Sequence, residues 1–169
     1  MEAKDVVLDA FSRVRDVAHK AVEGLSLDEL AFRVDAESNT IAWLVWHLTR
    51  IQDDHIADVA NIEQVWTSGG WAKRFGLPFD EWATGYGQTS ADVATLRADA
   101  SLLLGYLDAT SAATQVYVSK LSPDDFERVV DENWDPPVTL AVRLVSVIGD
   151  DLQHAGQAAF IRGIAERRR

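Results

Sequence analysis

No cysteine occurs among the 169 residues, and that absence excludes disulfides, thiolate metal ligands and a cysteine nucleophile together. Any metal the chain holds must be bound through imidazole, carboxylate or amide groups. Positive charge is scarce: 16 Lys and Arg stand against 27 Asp and Glu, for a formal net charge of −11. Such a chain repels phosphate backbones and anionic lipid, since those contacts need cations gathered on one face. Neither nucleic acid nor membrane is expected as a partner. The one basic run, Arg167-Arg168-Arg169, reads as a solvated helix end complementing the helix dipole. Long hydrophobic runs are missing too. The longest uncharged apolar stretch, Thr40 to Thr49, is too short to cross a bilayer and is interrupted by His47. The opening MEAKDVVLDAF has neither an apolar core nor a small-residue cleavage site, so a cytoplasmic location is expected.

What is present is ordinary globular composition, 47% hydrophobic and 25% charged, at a length that suits one domain over residues 1–169 with its own core. Val7, Ala10, Phe11, Val14, Val17, Ala18 and Ala21 recur at helical spacing, and Gly24 ends that first long helix. Ser26-Leu27-Asp28-Glu29 fits a capping box for a short turn of helix. A second long helix is expected from Thr40 to about Val65, with Ile41, Leu44, Leu48, Ile51, Val59 and Ile62 on its core side. Trp46 falls away from that stripe, which points to an exposed interface residue and a homodimer.

Residues 66–88 change character, with Gly69, Gly70, Gly76, Pro78, Gly85 and Gly87 interleaved with Trp71, Phe75, Phe79, Trp82 and Tyr86. This long loop should pack its aromatics over one end of the molecule, because rings of that size bury too much apolar area to be left in water. Ser90 is read as the cap of a third helix running to about Lys120, and Ser122-Pro123-Asp124-Asp125 as another short turn. Asp135-Pro136-Pro137 blocks any helix before a fourth, from Thr139 to about Arg167. Strand-like alternation is confined to Phe126–Val130. The short-turn, loop, long-helix order occurs twice, from Leu25 and from Leu121, as recurrent cap chemistry or a duplicated helical pair would both produce. The predicted fold class is all-α, a four-helix bundle with a long aromatic and glycine-rich loop between helices two and three.

Residues four apart on a helix share a face, so Asp150 and His154 can direct an oxygen and an imidazole nitrogen at one ion. Asp151, three residues before His154, is an alternative, and angular bookkeeping puts it nearer the apolar stripe and Asp150 nearer the flank with Gln157. On helix two, His47 lies on the shoulder of the apolar stripe with Asp54 and Asp58 further along. His55 lies about 12 Å of helix rise from His47, too far to share its ion, and reads as a hydrogen-bonded core histidine. His19 reads as solvent-facing. Beyond Asp151 and Asp54, no residue offers itself as a general acid or base.

The segment Asn39-Thr40-Ile41-Ala42-Trp43-Leu44-Val45-Trp46-His47-Leu48, together with Asp150-Asp151-Leu152-Gln153-His154-Ala155-Gly156-Gln157, resembles the two signature helices of the DinB-like superfamily. That superfamily of four-helix bundles includes S-transferases using mycothiol or bacillithiol and the metal-binding N-terminal domain of mycothiol-dependent maleylpyruvate isomerase. Its pattern is a His before Leu in helix two, then His-x-x-x-His-x-x-Gln in helix four, the first His of that pair being acidic in the mycothiol branch. The resemblance implies His47, Asp150 and His154 as metal ligands and Gln157 as the trailing Gln, with Asp151, Asp54 and His55 as neighbouring or alternative groups. This chain departs in carrying Asp at position 150, where many relatives have His and the mycothiol branch favours Glu, so the carboxylate reaches about one methylene less far.

Two functions in different classes follow. In one, a divalent ion, Zn or Ni, held by two imidazoles and a carboxylate keeps an open position at which a low-molecular-weight thiol is activated toward a small electrophile. The missing cysteine agrees with a borrowed thiol. In the other, the same fold serves as a non-catalytic metal-binding or dimeric interaction module.

Overall fold

The computed structural model describes residues 2–168. Helix α1 (Ala3–Val22) is followed by the short α2 (Leu27–Leu30), then α3 (Ile41–Ala60). Two further short helices, α4 (Val65–Ser68) and α5 (Trp71–Phe75), precede α6 (Ser90–Thr95) and α7 (Ala100–Val118). After a 3-10 turn at Pro123–Glu127 comes a hairpin of β1 (Val129–Asp131) and β2 (Val138–Thr139), and the chain closes with α8 (Leu140–Glu166). The long helices α1, α3, α7 and α8 make an all-α four-helix bundle. Both α1 and α3 pack against α7 and α8, so α7 and α8 lie on one diagonal and α1 and α3 on the other.

Local chemistry sets these boundaries. Ser26 and Glu29 form the capping box that opens α2. Thr40 Oγ1 accepts the Trp43 N–H at 2.9 Å to open α3. That helix stops at Ala60, short of Val65, because Asn61 turns left-handed (φ 52°) and returns its N–H to Ala57 and Asp58. The expected third helix is two helices. Thr89, not Ser90, caps the first through a capping box with Asp92, Leu96 is extended, and Asp99 then caps α7 by accepting the Leu102 N–H at 2.8 Å. The antiparallel hairpin pairs Val129 with Thr139 and Asp131 with Val138, and it delivers the chain directly into α8, whose cap is Thr139.

The segment from α4 through residue 88 packs through its two short helices against α3 and α7. Trp66 and Phe75 are buried, Trp71 and Phe79 partly so, and all join the main core. The Trp71 ring sits over Gly105 of α7, where a Cβ would come within 2.7 Å of it. Trp82 and Tyr86 depart from the expected packing and stay exposed. The same layer overturns two expectations for α3. Trp46 is 1% exposed, enclosed by Trp66 and Phe79 with ring centroids at 6.3 and 6.0 Å, so it is core rather than interface. Ile62, past the helix end, is exposed. A helix covered on both faces buries residues that a single apolar stripe would leave outside.

Candidate metal centre

His47 stands near the middle of α3, and Asp150 and His154 stand one turn apart on α8. Since α3 and α8 are bundle neighbours, the three side chains meet, with one ligand atom from each lying within 4.8 Å of the others. The imidazole rings of His47 and His154 have centroids 4.8 Å apart at 72°, and His154 Nε2 is 3.6 Å from Asp150 Oδ1.

Both imidazoles are oriented through their other nitrogen. His47 Nδ1 is bound to the Thr84 carbonyl, and His154 Nδ1 to Gln157 Oε1 at 3.0 Å. A carbonyl can only accept, so each Nδ1 carries a proton and each Nε2 presents its lone pair to the space between α3 and α8. Oriented outer partners of this kind fix the tautomer of metal-binding histidines. Asp150 Oδ2 is buried with no hydrogen-bond partner, a costly state that a cation would relieve. Tetrahedral zinc with bonds of about 2.1 Å separates its donors by roughly 3.4 Å. The His154 and Asp150 atoms are close to that spacing, and modest side-chain rotation closes the rest. The donor set fits a divalent ion.

Trp43, one turn before His47, walls the site. Its indole stacks on His47 at 4.6 Å and 17° and meets His154 edge-on at 6.4 Å, while its Nε1–H donates to Gln88 Oε1 at 2.7 Å. Burial pushes the His47 imidazole below its ordinary pKa of 6.5. Contact with Asp150 raises His154 above the same value, and contact with His154 holds Asp150 below the usual carboxylate range.

The other candidates separate from this group. Asp151 is fully buried with neither carboxylate oxygen partnered, and burial pushes its pKa well up. It faces the bundle interior, outside the convergent set. Asp54 accepts from Gln64 Nε2 at 2.7 Å and so serves the start of the α4–α5 segment. His55 is only partly buried and pairs with Arg143 at 3.2 Å rather than lying in the core. His19 is not solvent-facing, since its Nε2 lies 2.7 Å from Asp108 Oδ1 on α7. Gln157 holds His154.

Thr84 and Gly85 escaped the sequence reading. Gly85 has φ +98°, and a Cβ there would lie 2.7 Å from His47 Nδ1 and about 3 Å from the Trp43 and Trp46 rings. Its position amid site aromatics was the available signal, but a backbone carbonyl that orients an imidazole has no side-chain signature. Gly85→Ala is expected to cost about 1–3 kcal/mol from the left-handed backbone alone and to displace His47 as well. Thermal denaturation, with the His47 ring resonances as a local probe, checks both, and an unshifted ring with unchanged stability would contradict the packing described.

The sequence model of the mycothiol-S-transferase family matches residues 6–166. A crystal structure of a conserved protein from Enterococcus faecalis superposes with a TM-score of 0.89 at 28% identity, covering 96% of each chain. No curated protein matches the chain.

Proposed function

The chain belongs to the mycothiol S-transferase family, and from that premise we propose that it joins a low-molecular-weight thiol, mycothiol foremost, to a small electrophile at a divalent ion held by His47, Asp150 and His154. The observation that carries the proposal is the paired orientation of the histidines: both Nδ1 atoms are committed to carbonyl acceptors, which leaves two Nε2 lone pairs and one carboxylate turned to a common point. A bound Zn²⁺ or Ni²⁺ supplies there a positive charge that lowers the pKa of a coordinated thiol. The chain's own groups do the rest. The Thr84 carbonyl and Gln157 hold the imidazoles against rotation, and the Trp43 indole excludes water from one side of His47. With no cysteine in the chain, the sulfur must come from the cosubstrate, whose thiol proton passes to solvent. Among the described residues no helix is long and apolar enough to cross a membrane, and we place the reaction in the cytoplasm.

The test is thiol consumption with mycothiol and a chromogenic electrophile, comparing protein purified without a metal-binding tag, chelator-stripped protein and zinc-reloaded protein. Activity that falls on stripping and returns with zinc supports the proposal. Equal rates in all three would overturn it. Zinc-induced stabilisation carries a pH signature, because protons compete with the metal for both imidazoles. His154, raised above 6.5 by Asp150, takes up its proton first as pH falls, so the zinc-dependent rise in Tm should be full near pH 8 and fade through the neutral range. Without metal the sign above 6.5 reverses. A histidine with a raised folded pKa contributes stability that is complete below 6.5 and lost as pH rises through the folded value. Lowered His47 acts the other way, costing stability as pH drops below 6.5.

One observation favours the homodimer on new grounds. Every exposed residue of α8 from Val142 to Phe160 is uncharged, including Val142, Val145, Leu152 and Phe160. In a chain of net charge −11, two copies repel least across such a face. Sedimentation velocity is expected to give twice 18.7 kDa, with Leu152→Lys shifting the protein to monomer, and a monomeric wild type at tens of micromolar would refute it.

A further inference from the structure

A small cleft of about 190 Å³ opens between α3 and α8 immediately beside the metal centre, lined by Ile51, His55, Tyr86, Ser146, Val147 and Asp150. It shares Asp150 with the candidate metal group, so whatever occupies it would lie one side chain from an ion held there. His55 enters it in a defined state. Its Nδ1 lies 3.2 Å from Arg143 Nη1, and Arg143 Nη2 donates to Asp131 Oδ2 on β1 at 2.9 Å. A guanidinium can only donate, so His55 Nδ1 must accept and Nε2 must carry the proton. Burial and the Arg143 charge agree, keeping the imidazole neutral. The Nε2–H finds no acceptor among the described residues. A tie between hairpin and bundle would need only the Arg143–Asp131 pair, whereas the chain of contacts continues to an imidazole that brings one unused donor into the cleft.

The lining selects a ligand. Ser146 offers a hydroxyl, and Ile51 and Val147 offer an apolar floor. Tyr86 stands 93% exposed between Gly85 and Gly87. Asp150, Asp54 and Asp58 all place negative charge around His55, which opposes an anion. Neutral donors beside an aromatic face and a small apolar floor suit a sugar or cyclitol, whose C–H face stacks while its hydroxyls hydrogen-bond. The cleft on the opposite side of the site contrasts with it: Val34, Leu44, Phe160 and Ile161 line it beside Gln157, an apolar surface suited to an electrophile.

We propose that the cleft beside Asp150 binds the neutral polyol portion of the thiol cosubstrate, with His55 Nε2–H as a hydrogen-bond donor held in register by Arg143 and Asp131. The inference rests on the thiol-transfer reading above, and the test separates the two. Zinc-loaded protein is titrated calorimetrically with mycothiol and with N-acetylcysteine, a thiol without the polyol portion, in wild type, His55→Phe and His55→Gln, and the zinc affinity of each is measured separately. Wild type is expected to prefer mycothiol. His55→Phe should weaken mycothiol binding about fivefold to tenfold, the worth of one hydrogen bond, while leaving N-acetylcysteine and zinc binding unchanged. His55→Gln, which keeps an N–H donor, should recover much of the loss. Mycothiol affinity unaltered in His55→Phe would overturn the cleft assignment, as would equal binding of both thiols by wild type, and in either case the thiol reading stands. Loss of zinc binding in both variants would also overturn it by making His55 part of the metal site. Failure of wild type to bind either thiol would remove the thiol reading and this inference with it.

Discussion

Zinc affinity is expected to fall by more than a hundredfold in His154→Ala and in His47→Ala. Losing an outer hydrogen-bond partner of a metal ligand costs about tenfold to a hundredfold, and each of these changes removes a proposed ligand outright. Asp150→Ala should behave similarly, because its Oδ1 is the atom 3.6 Å from His154 Nε2 and its Oδ2 is buried without a partner. Asp151→Asn is the discriminating control. Its carboxylate is buried and unpartnered outside the convergent group, so zinc affinity should stay within about threefold of wild type, while stability should hold or rise as an uncompensated acid is replaced by a neutral amide. Competition titration against a chromophoric chelator reads all four variants on one scale. If His154→Ala binds zinc as wild type does, the three residues are a hydrogen-bonded cluster and no metal centre. If Asp151→Asn loses zinc and Asp150→Ala keeps it, the carboxylate assignment is reversed.

The all-α bundle was legible from periodicity, and so was the meeting of His47, Asp150 and His154, for a physical reason. Asp150 and His154 are one helical turn apart, so their convergence is a property of local geometry that any helix at that position would produce, and the bundle had only to bring His47 opposite. Angular bookkeeping also placed Asp151 on the apolar side of α8, which agrees with its complete burial. Trp46 misled because periodicity reports one buried face, whereas α3 has a second cover built from Trp66, Phe75 and Phe79. Nothing within residues 41–60 announces that cover. Its existence depends on contacts made by a segment whose glycines and aromatics pointed to packing without saying against what. The break at Leu96–Asp99 was hidden for a similar reason: Thr89 and Ser90 are adjacent cap residues, and a second Asp cap looked like one more acidic side chain.

That cover is held to α3 by a buried ionic network, and breaking it is expected to have the largest effect on stability of any single substitution considered. Arg50 is fully buried and donates through Nε to the Ala83 carbonyl at 3.1 Å and through Nη1 to Gln64 Oε1 at 2.8 Å, with its guanidinium 5.0 Å over the Trp66 ring. Asp53 accepts the N–H groups of Val65 and Trp66 at 2.8 and 2.7 Å and the Tyr106 hydroxyl at 2.7 Å. The two charges are 3.8 Å apart. Asp53→Ala strips three donors of their acceptor and leaves Arg50 as an uncompensated buried cation, which should cost about 3–5 kcal/mol, or roughly 6–20 °C in Tm for a chain of this size. Arg50→Met should cost less, since Asp53 keeps its three donors. The double variant Arg50→Met with Asp53→Ala should lose less than the sum of the single changes, because removing both charges abolishes the desolvation penalty that each single change exposes. Urea denaturation of the four proteins measures the coupling. Zinc titration then links the network to the site: Ala83, held by Arg50, adjoins Thr84, whose carbonyl orients His47, so Arg50→Met should also weaken zinc binding although the side chain touches no ligand. Additive stability losses with wild-type zinc affinity would mean that the network is a local clamp with no bearing on the metal centre.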